Sequence, residues 1–209
     1  MTGIISDNVG RTSGLIKAAS GGGGGVWTLI KTLTSDGSDS DLSFVDGTDD
    51  VVLDSTYPIY KFTCNTMHCA ASDGYFQVNF RDGSTAYDAT KTATFYRAEH
   101  GAGDDATGFG YNTHKDLAQS TAAMALSNPT GDGNDENSSG HMWLFNPSST
   151  TFVKHFMSEF STHDMSDYAQ HCFIGGYCNV TAAIDGVQFT FSSGDIQSGT
   201  IKLYGLGDS

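Results

Sequence analysis

Apolar and polar residues alternate with a period of two along most of the chain. The clearest example lies near the C-terminus, where Val187, Phe189 and Phe191 are separated by polar residues. Successive side chains of a β-strand point to opposite faces, so this alternation predicts a strand with one apolar and one polar face. Residues 193–195 interrupt the pattern and residues 200–204 resume it, which predicts two closing strands of a half-buried sheet.

The same alternation recurs from Val26 onward, interrupted by turns rich in Gly, Asp and Ser. Strands are predicted at residues 26–33, 42–45, 51–53, 59–64, 75–80, 93–97, 141–145, 152–160, 171–177, 187–191 and 200–204. Short strands separated by such turns, without a long helix, indicate an all-β domain. The expected fold is a two-sheet β-sandwich, with a jelly roll as its expected topology.

Two segments fit more than one kind of element. Phe152, Phe156 and Phe160 have both strand alternation and helix spacing, and the Ala-rich residues 117–126 fit a short helix or a strand. Residues 98–116 and 128–140 are rich in Gly, Asp and Asn, and they are predicted to be long polar loops. Binding surfaces on rigid β scaffolds tend to lie on such loops.

Composition narrows the range of partners. The 209 residues carry a formal net charge of −14, with only ten Lys and Arg residues. Those cations are scattered, whereas phosphate binding requires clustered ones, so a nucleic-acid partner is not expected. No segment approaches the roughly 20 consecutive apolar residues that span a bilayer, so membrane insertion is not expected either. The N-terminus lacks the features of a signal peptide, which predicts folding in a cytosol.

The four cysteines fall into two local pairs, Cys64 with Cys69 and Cys172 with Cys178. Neither spacing is that of a zinc or redox motif, and a cytosolic origin favours free thiols. The odd separation of Cys64 and Cys69 predicts opposite faces on a continuous strand. Buried small hydrophobic residues are the favoured interpretation, ahead of a structural metal site.

No motif for catalysis or for a cofactor is present, and the chain is not expected to be an enzyme. His163, Asp164, Asp167 and His171 form a local group without metal-ligand spacing, and they are interpreted as turn residues beside a strand. The Asp-rich turns at residues 36–41 and 132–136 offer oxygen ligands that calcium accepts, but they lack the complete EF-hand pattern. Solvated turns are therefore expected there, with calcium as the alternative.

The first 20 residues are predicted to be a separate element. Their apolar side chains, Ile4, Ile5, Leu15 and Ile16, are too few to form a core, and the glycines of residues 21–25 provide a flexible hinge. This arrangement is suited to an anchor that binds another protein, with a frayed tail as the alternative. The β-sandwich domain is then expected to occupy residues 26–209.

Four segments of the chain resemble one group of viral proteins. The C-terminal sequence VQFTFSSGDIQSGTIKLYGL closely resembles the end of tail-fibre and receptor-binding proteins of tailed bacteriophages, many of them marine. The opening at residues 3–18 resembles the N-terminus of the same proteins. The segments YPIYKF at residues 57–62 and HMWLFNP at residues 141–147 correspond to internal strands of that group.

This resemblance implies a structural or adhesive protein of the virion, assembled in the host cytoplasm. It implies a homotrimer whose residues 1–20 attach it to other virion proteins, acting as a tail fibre or receptor-binding adhesin. The alternative within the group is a capsid-decorating protein, either cement or a head fibre. A glycan depolymerase is a weaker alternative, because enzymatic tailspikes are usually much longer β-helices and this chain shows no solenoid repeat.

One of the predicted loops combines aromatic rings with hydrogen-bonding side chains, as sugar-binding sites do. The candidate receptor-binding residues are Phe109, Tyr111, Asn112 and His114, and the expected ligand is a glycan of the host surface. The alternative, which the sequence slightly favours, is that Phe109 and Tyr111 pack onto the sandwich and pin the loop.

Overall fold

The computed structural model describes residues 25–207 of the chain. The predicted anchor residues Ile4, Ile5, Leu15 and Ile16, and all of the glycine hinge except Gly25, lie outside the described residues. The described strands are β1 (Trp27–Thr34), β2 (Asp41–Val45), β3 (Ile59–Cys69), β4 (Phe76–Arg81), β5 (Lys91–Gly101), β6 (Thr107–Tyr111), β7 (Leu117–Ser120), β8 (Met124–Ala125), β9 (Ser138–Phe145), β10 (Lys154–His163), β11 (Tyr168–Cys178), β12 (Gly186–Phe191) and β13 (Ile196–Leu206).

The strands of residues 25–207 form two antiparallel sheets. The large sheet has the order β1-β13-β3-β9-β10-β11-β5-β6, with β7 paired to β5, and the small sheet has the order β2-β12-β4-β8. The predicted all-β, two-sheet β-sandwich is confirmed, and the jelly-roll topology stays a prediction. The two closing strands lie in different sheets, β12 in the small one and β13 in the large one. A single sheet containing both was therefore the wrong expectation.

Phenylalanine rings from both sheets form the centre of the core. Phe62 of the large sheet contacts Phe189 of the small sheet at a ring-centroid distance of 5.4 Å, and Phe80 contacts Phe156 at 5.1 Å. Phe76 stacks on Phe189 within the small sheet, with centroids 5.6 Å apart. These five side chains are completely buried, as the alternation around Phe189 predicted. Aromatic pairs add to the stabilisation that burial of their area provides.

Three predicted segments differ in the structure. Residues 51–53 are not a strand. They form an irregular segment in which Val51 and Leu53 are buried, and Leu53 N donates a hydrogen bond to Asp46 Oδ1 at 2.8 Å. Residues 117–126 contain the short strands β7 and β8 and no helix. Residues 98–116 are not a continuous loop, because β5 and β6 pair there as a hairpin.

A β-bulge explains why both cysteines of β3 are buried. The pairing of β3 with β9 shifts register between Cys64 and Met67, and Thr66 has a positive φ of 52°. The bulge adds a residue to one strand and reverses the alternation beyond it, so Cys64 and Cys69 both face inward. All four cysteines are buried and free, as predicted. Burial raises the pKa of the Cys64 thiol and that of Cys172, the latter to about 11.

Truncating the central ring of the small sheet is expected to destabilise the domain strongly. Phe189→Ala removes the side chain that contacts both sheets, so the free energy of unfolding should fall by roughly 3–5 kcal/mol. Gln188→Ala, on the opposite face of β12, should cost less than about 1 kcal/mol. Urea denaturation of both variants measures these effects. Equal losses would mean that the two faces of β12 are wrongly assigned.

Alkaline pH should destabilise the protein through its buried thiols. The native pKa of Cys64 is raised by desolvation above the ordinary value of 9.0. Above that value the unfolded chain releases a proton that the native chain retains, so stability is lost as the pH rises. Each such thiol contributes a slope of up to about 1.4 kcal/mol per pH unit.

Cys64→Ala should therefore reduce the pH dependence of the free energy of unfolding between pH 9 and 10.5. Val78→Ala, another truncation in the core, removes no titrating group and should leave the slope unchanged. Denaturation series at several pH values provide the measurement. A Cys64→Ala slope equal to that of the wild type would show that the native thiol ionises normally.

Candidate functional site

The β5–β6 hairpin presents the two aromatic residues of the predicted receptor site to solvent. Phe109 pairs with Ala98 and Tyr111 with Tyr96, at the edge of the large sheet. Because Phe95 points into the core, these positions face the other way, onto the side of the large sheet that is turned away from the small sheet. We call this side the outer face.

Phe109 is 76% exposed and Tyr111 is 53% exposed. The expectation that both rings pack onto the sandwich is therefore wrong, because more than half of each residue is exposed to solvent. Phe109 keeps one edge contact with the ring of Tyr96, at 5.9 Å between centroids.

The turn after β6 fixes Tyr111 and assigns Asn112 a structural role. The Tyr111 hydroxyl donates to Asp116 Oδ2 at 2.8 Å, and this hydrogen bond raises the pKa of Tyr111. The side-chain oxygen of Asn112 accepts from His114 N at 3.0 Å and thereby closes the turn. Tyr111 and His114 remain exposed for a ligand, whereas the carbonyl group of Asn112 is already occupied.

A groove of about 450 Å³ lies along the hairpin and is lined by Arg97, Glu99 and residues 108–114. The groove exists partly because two residues of β6 are glycines; a Cβ atom at Gly110 would meet no atom within 4 Å. Glu99 Oε2 accepts from Arg97 Nε at 2.8 Å and from Gln170 Nε2 at 3.2 Å. Arg97 pairs with Gly110 and Glu99 with Gly108, so this ion pair lies on the face of the hairpin opposite to the rings of Phe109 and Tyr111.

The row of rings continues from the hairpin across the outer face. Tyr96 stacks on Phe173 with centroids 5.0 Å apart and planes inclined by 11°, and Phe173 contacts His171 at 4.1 Å. Sequence reasoning missed this row, although the signal was present. Phe95 and Tyr96 are adjacent, and Cys172 and Phe173 are adjacent, so only one residue of each pair can face the core.

A second aromatic cluster lies on the outer faces of β1, β3 and β9. Trp143 contacts Trp27 at 5.3 Å and His141 at 5.8 Å between ring centroids. Lys61 Nζ lies 4.7 Å from the centroid of Trp143, in a cation–π contact. Both tryptophans of the chain therefore lie on the outer face, outside the phenylalanine core.

The other predicted polar groups serve as turn residues. Asp164 Oδ1 accepts from the backbone N–H groups of Ser166 and Tyr168, and His163 Nε2 lies 3.7 Å from Asp167 Oδ1. In the Asp-rich turns, Asp36 accepts from Ser38 and Glu136 accepts from Gly133 N at 2.7 Å. Between residues 25 and 207, no three His, Cys, Asp or Glu side chains come together in a way that could hold a metal ion.

No protein-family model matches the chain, and no curated protein matches it. No helix capable of crossing a membrane is found in the described part of the chain.

The chemistry that the geometry supports is ligand binding. Exposed rings can stack on the apolar face of a ligand while Tyr111 and His114 hydrogen-bond its polar groups.

Proposed function

We propose that this chain is a structural protein of a tailed-phage virion that acts as a receptor-binding adhesin for a host-surface glycan. The exposure of Phe109 and Tyr111 on a rigid hairpin is the observation that carries the proposal. The resemblance of four segments to tail-fibre and receptor-binding proteins supplies the biological setting. In this proposal the chain binds its ligand without chemically changing it.

The hairpin is organised for binding before any ligand arrives. Its rings extend from paired strands of the large sheet, and the hydroxyl of Tyr111 is oriented by Asp116. A ligand that contacts Tyr111 therefore has little freedom of that side chain left to immobilise, which favours affinity. Contiguous exposed apolar patches are uncommon on soluble proteins unless they mark an interaction site, and Phe109 continues the row of rings through its contact with Tyr96.

The proposal includes assembly as well as recognition. We propose that residues 1–20 attach the chain to other virion proteins and that three copies form the functional head. Multiple copies would strengthen weak individual contacts with a repetitive glycan, because the second and third contacts become intramolecular.

Replacing a hairpin ring should weaken adhesion without unfolding the protein. Phe109→Ala and Tyr111→Ala should each raise the Kd of the full-length protein for host cells by roughly 10- to 30-fold, the effect of removing one central aromatic contact. The melting temperature should stay nearly unchanged, since both rings are largely exposed. Binding to cells and thermal unfolding are the two measurements.

Phe152→Ala is the matched control, because Phe152 is also a highly exposed phenylalanine but lies in the connection before β10. It should leave adhesion unaltered. Wild-type adhesion of both hairpin variants would rule out this hairpin as the receptor site. If purified particles instead carry several hundred copies on the head alone, the chain is a capsid-decorating protein.

Deleting residues 1–20 tests the attachment. The shortened protein should keep the melting temperature of the sandwich, because the deletion leaves every residue of the buried phenylalanine layer in place. It should fail to incorporate when supplied in place of the full-length protein during phage assembly. Immunoblots of purified particles give the readout, and normal incorporation would eliminate the anchor.

A further inference from the structure

The centre of the outer face contains a second, smaller cavity that is separate from the hairpin groove. Its volume is about 170 Å³, and its lining includes Tyr96, His141, Trp143, Met157 and Glu159, together with Phe173. The cavity is created by a missing side chain. Gly175 lies opposite Met157 on one neighbouring strand and opposite Thr94 on the other.

The aromatic walls of this cavity are poorly suited to a cationic ligand. The π face of Trp143 is already engaged by Lys61, and Phe173 stacks on Tyr96. A quaternary ammonium group requires free ring faces, since the ring edges carry the positive part of the quadrupole. An incoming cation would also meet the nearby charge of Lys61.

The polar groups of the cavity are equally poorly suited to an anion. Glu159 is exposed on the outer face and forms no ion pair within residues 25–207. No lysine or arginine lines the cavity. Burial, assisted by Lys61, lowers the pKa of His141, so its imidazole is neutral at pH 7. An anionic sugar would therefore face the carboxylate of Glu159, while Lys61 is engaged on the ring of Trp143 and does not line the cavity.

The remaining ligand class is a neutral ring that has both apolar faces and hydroxyl groups. Glu159 can accept hydrogen bonds from two neighbouring hydroxyls, and neutral His141 can donate or accept one. Met157, which is 57% exposed, offers a flexible apolar wall for the C–H face of such a ring. The volume also suits one six-membered ring, because benzene fills a protein cavity of about 150 Å³.

We propose that this cavity is a subsite for one neutral hexopyranose residue of a glycan. The inference rests on the proposed function for its ligand class, but it concerns a site distinct from the hairpin groove. A glycan long enough to contact both sites would cross the row of rings formed by Phe173, Tyr96 and Phe109.

Gly175→Val tests the subsite by filling it. A Cβ atom at Gly175 would meet only Thr94 Oγ1, at 3.8 Å, so the added Cβ introduces no clash, and valine is favoured in strands. Gly103→Val is the matched control, because Gly103 lines neither this cavity nor the hairpin groove and a Cβ atom there would meet only Asp105, at 3.5 Å or more. Glu159→Gln is a second variant that keeps the shape of the cavity and removes its carboxylate.

The probes are the methyl glycosides of glucose, galactose and mannose, titrated into the full-length protein. We expect at least one to bind with a millimolar Kd and to change the fluorescence of Trp143. Gly175→Val should weaken that binding at least about tenfold, Glu159→Gln should weaken it measurably, and Gly103→Val should leave it unchanged. Tetramethylammonium and N-acetylneuraminic acid should produce no saturable change.

Three outcomes would overturn the inference: none of the neutral glycosides binds, their binding survives Gly175→Val, or tetramethylammonium binds with higher affinity. Self-association that is abolished by Gly175→Val would also overturn it, by showing that a second copy fills the cavity. Failure here leaves the hairpin variants as an independent test of adhesion. Conversely, normal adhesion of the hairpin variants together with glycoside binding would retain the subsite and remove the hairpin from the proposed function.

Discussion

The phenylalanine layer between the two sheets is the interaction on which the rest of the structure depends. Phe62, Phe156 and Phe160 of the large sheet meet Phe76, Phe80 and Phe189 of the small sheet, and all six are fully buried. This layer forms on one side of the large sheet only. The large sheet has nine strands and the small sheet has four. The small sheet packs on one side of the large sheet, and within residues 25–207 no second layer covers the outer face.

The uncovered face explains the distribution of chemistry on the molecule. An antiparallel sheet that is covered on one side usually presents polar side chains on the other. Here the other side carries Tyr96, Trp143 and Phe173 in mutual contact with neighbouring rings, and the edge hairpin adds Phe109 and Tyr111. These rings contribute little to the core, and their concentration on one face is the feature on which the proposed recognition of a ligand rests.

The sequence was informative wherever alternation alone determines the outcome. The strand character of residues 187–191 and the burial of Phe189 follow from the local pattern, whereas alternation alone placed Cys64 and Cys69 on opposite faces. The bulge in β3 could not be predicted, because it depends on pairing with β9 and on the positive φ of Thr66. The same limitation applies to the β5–β6 hairpin: Gly108 and Gly110 favoured a loop, and only the pairing with β5 makes the segment a strand.

The candidate site was predicted only in part, for a related reason. Phe109, Tyr111 and His114 were identified by residue type, but their exposure depends on which face of the edge strand they occupy. Asn112 was included for its amide, which the turn uses instead. The aromatic row of the outer face was overlooked because aromatic residues in strands are usually assigned to the core. In a pair of adjacent strand residues such as Phe95 and Tyr96, only one side chain can face the core, so the other is assigned to the outer face.

The central claim is that the outer face is an open, ligand-binding surface, and the two tryptophans report on it directly. Both Trp27 and Trp143 lie on that face, and the chain contains no others. Acrylamide quenching of tryptophan fluorescence in the purified protein, with and without polysaccharide extracted from host cells, is therefore the most direct measurement. The account predicts efficient quenching in the free protein and saturable protection by the polysaccharide. Tryptophans that are shielded without ligand, or that stay fully accessible when the polysaccharide is bound, would contradict it.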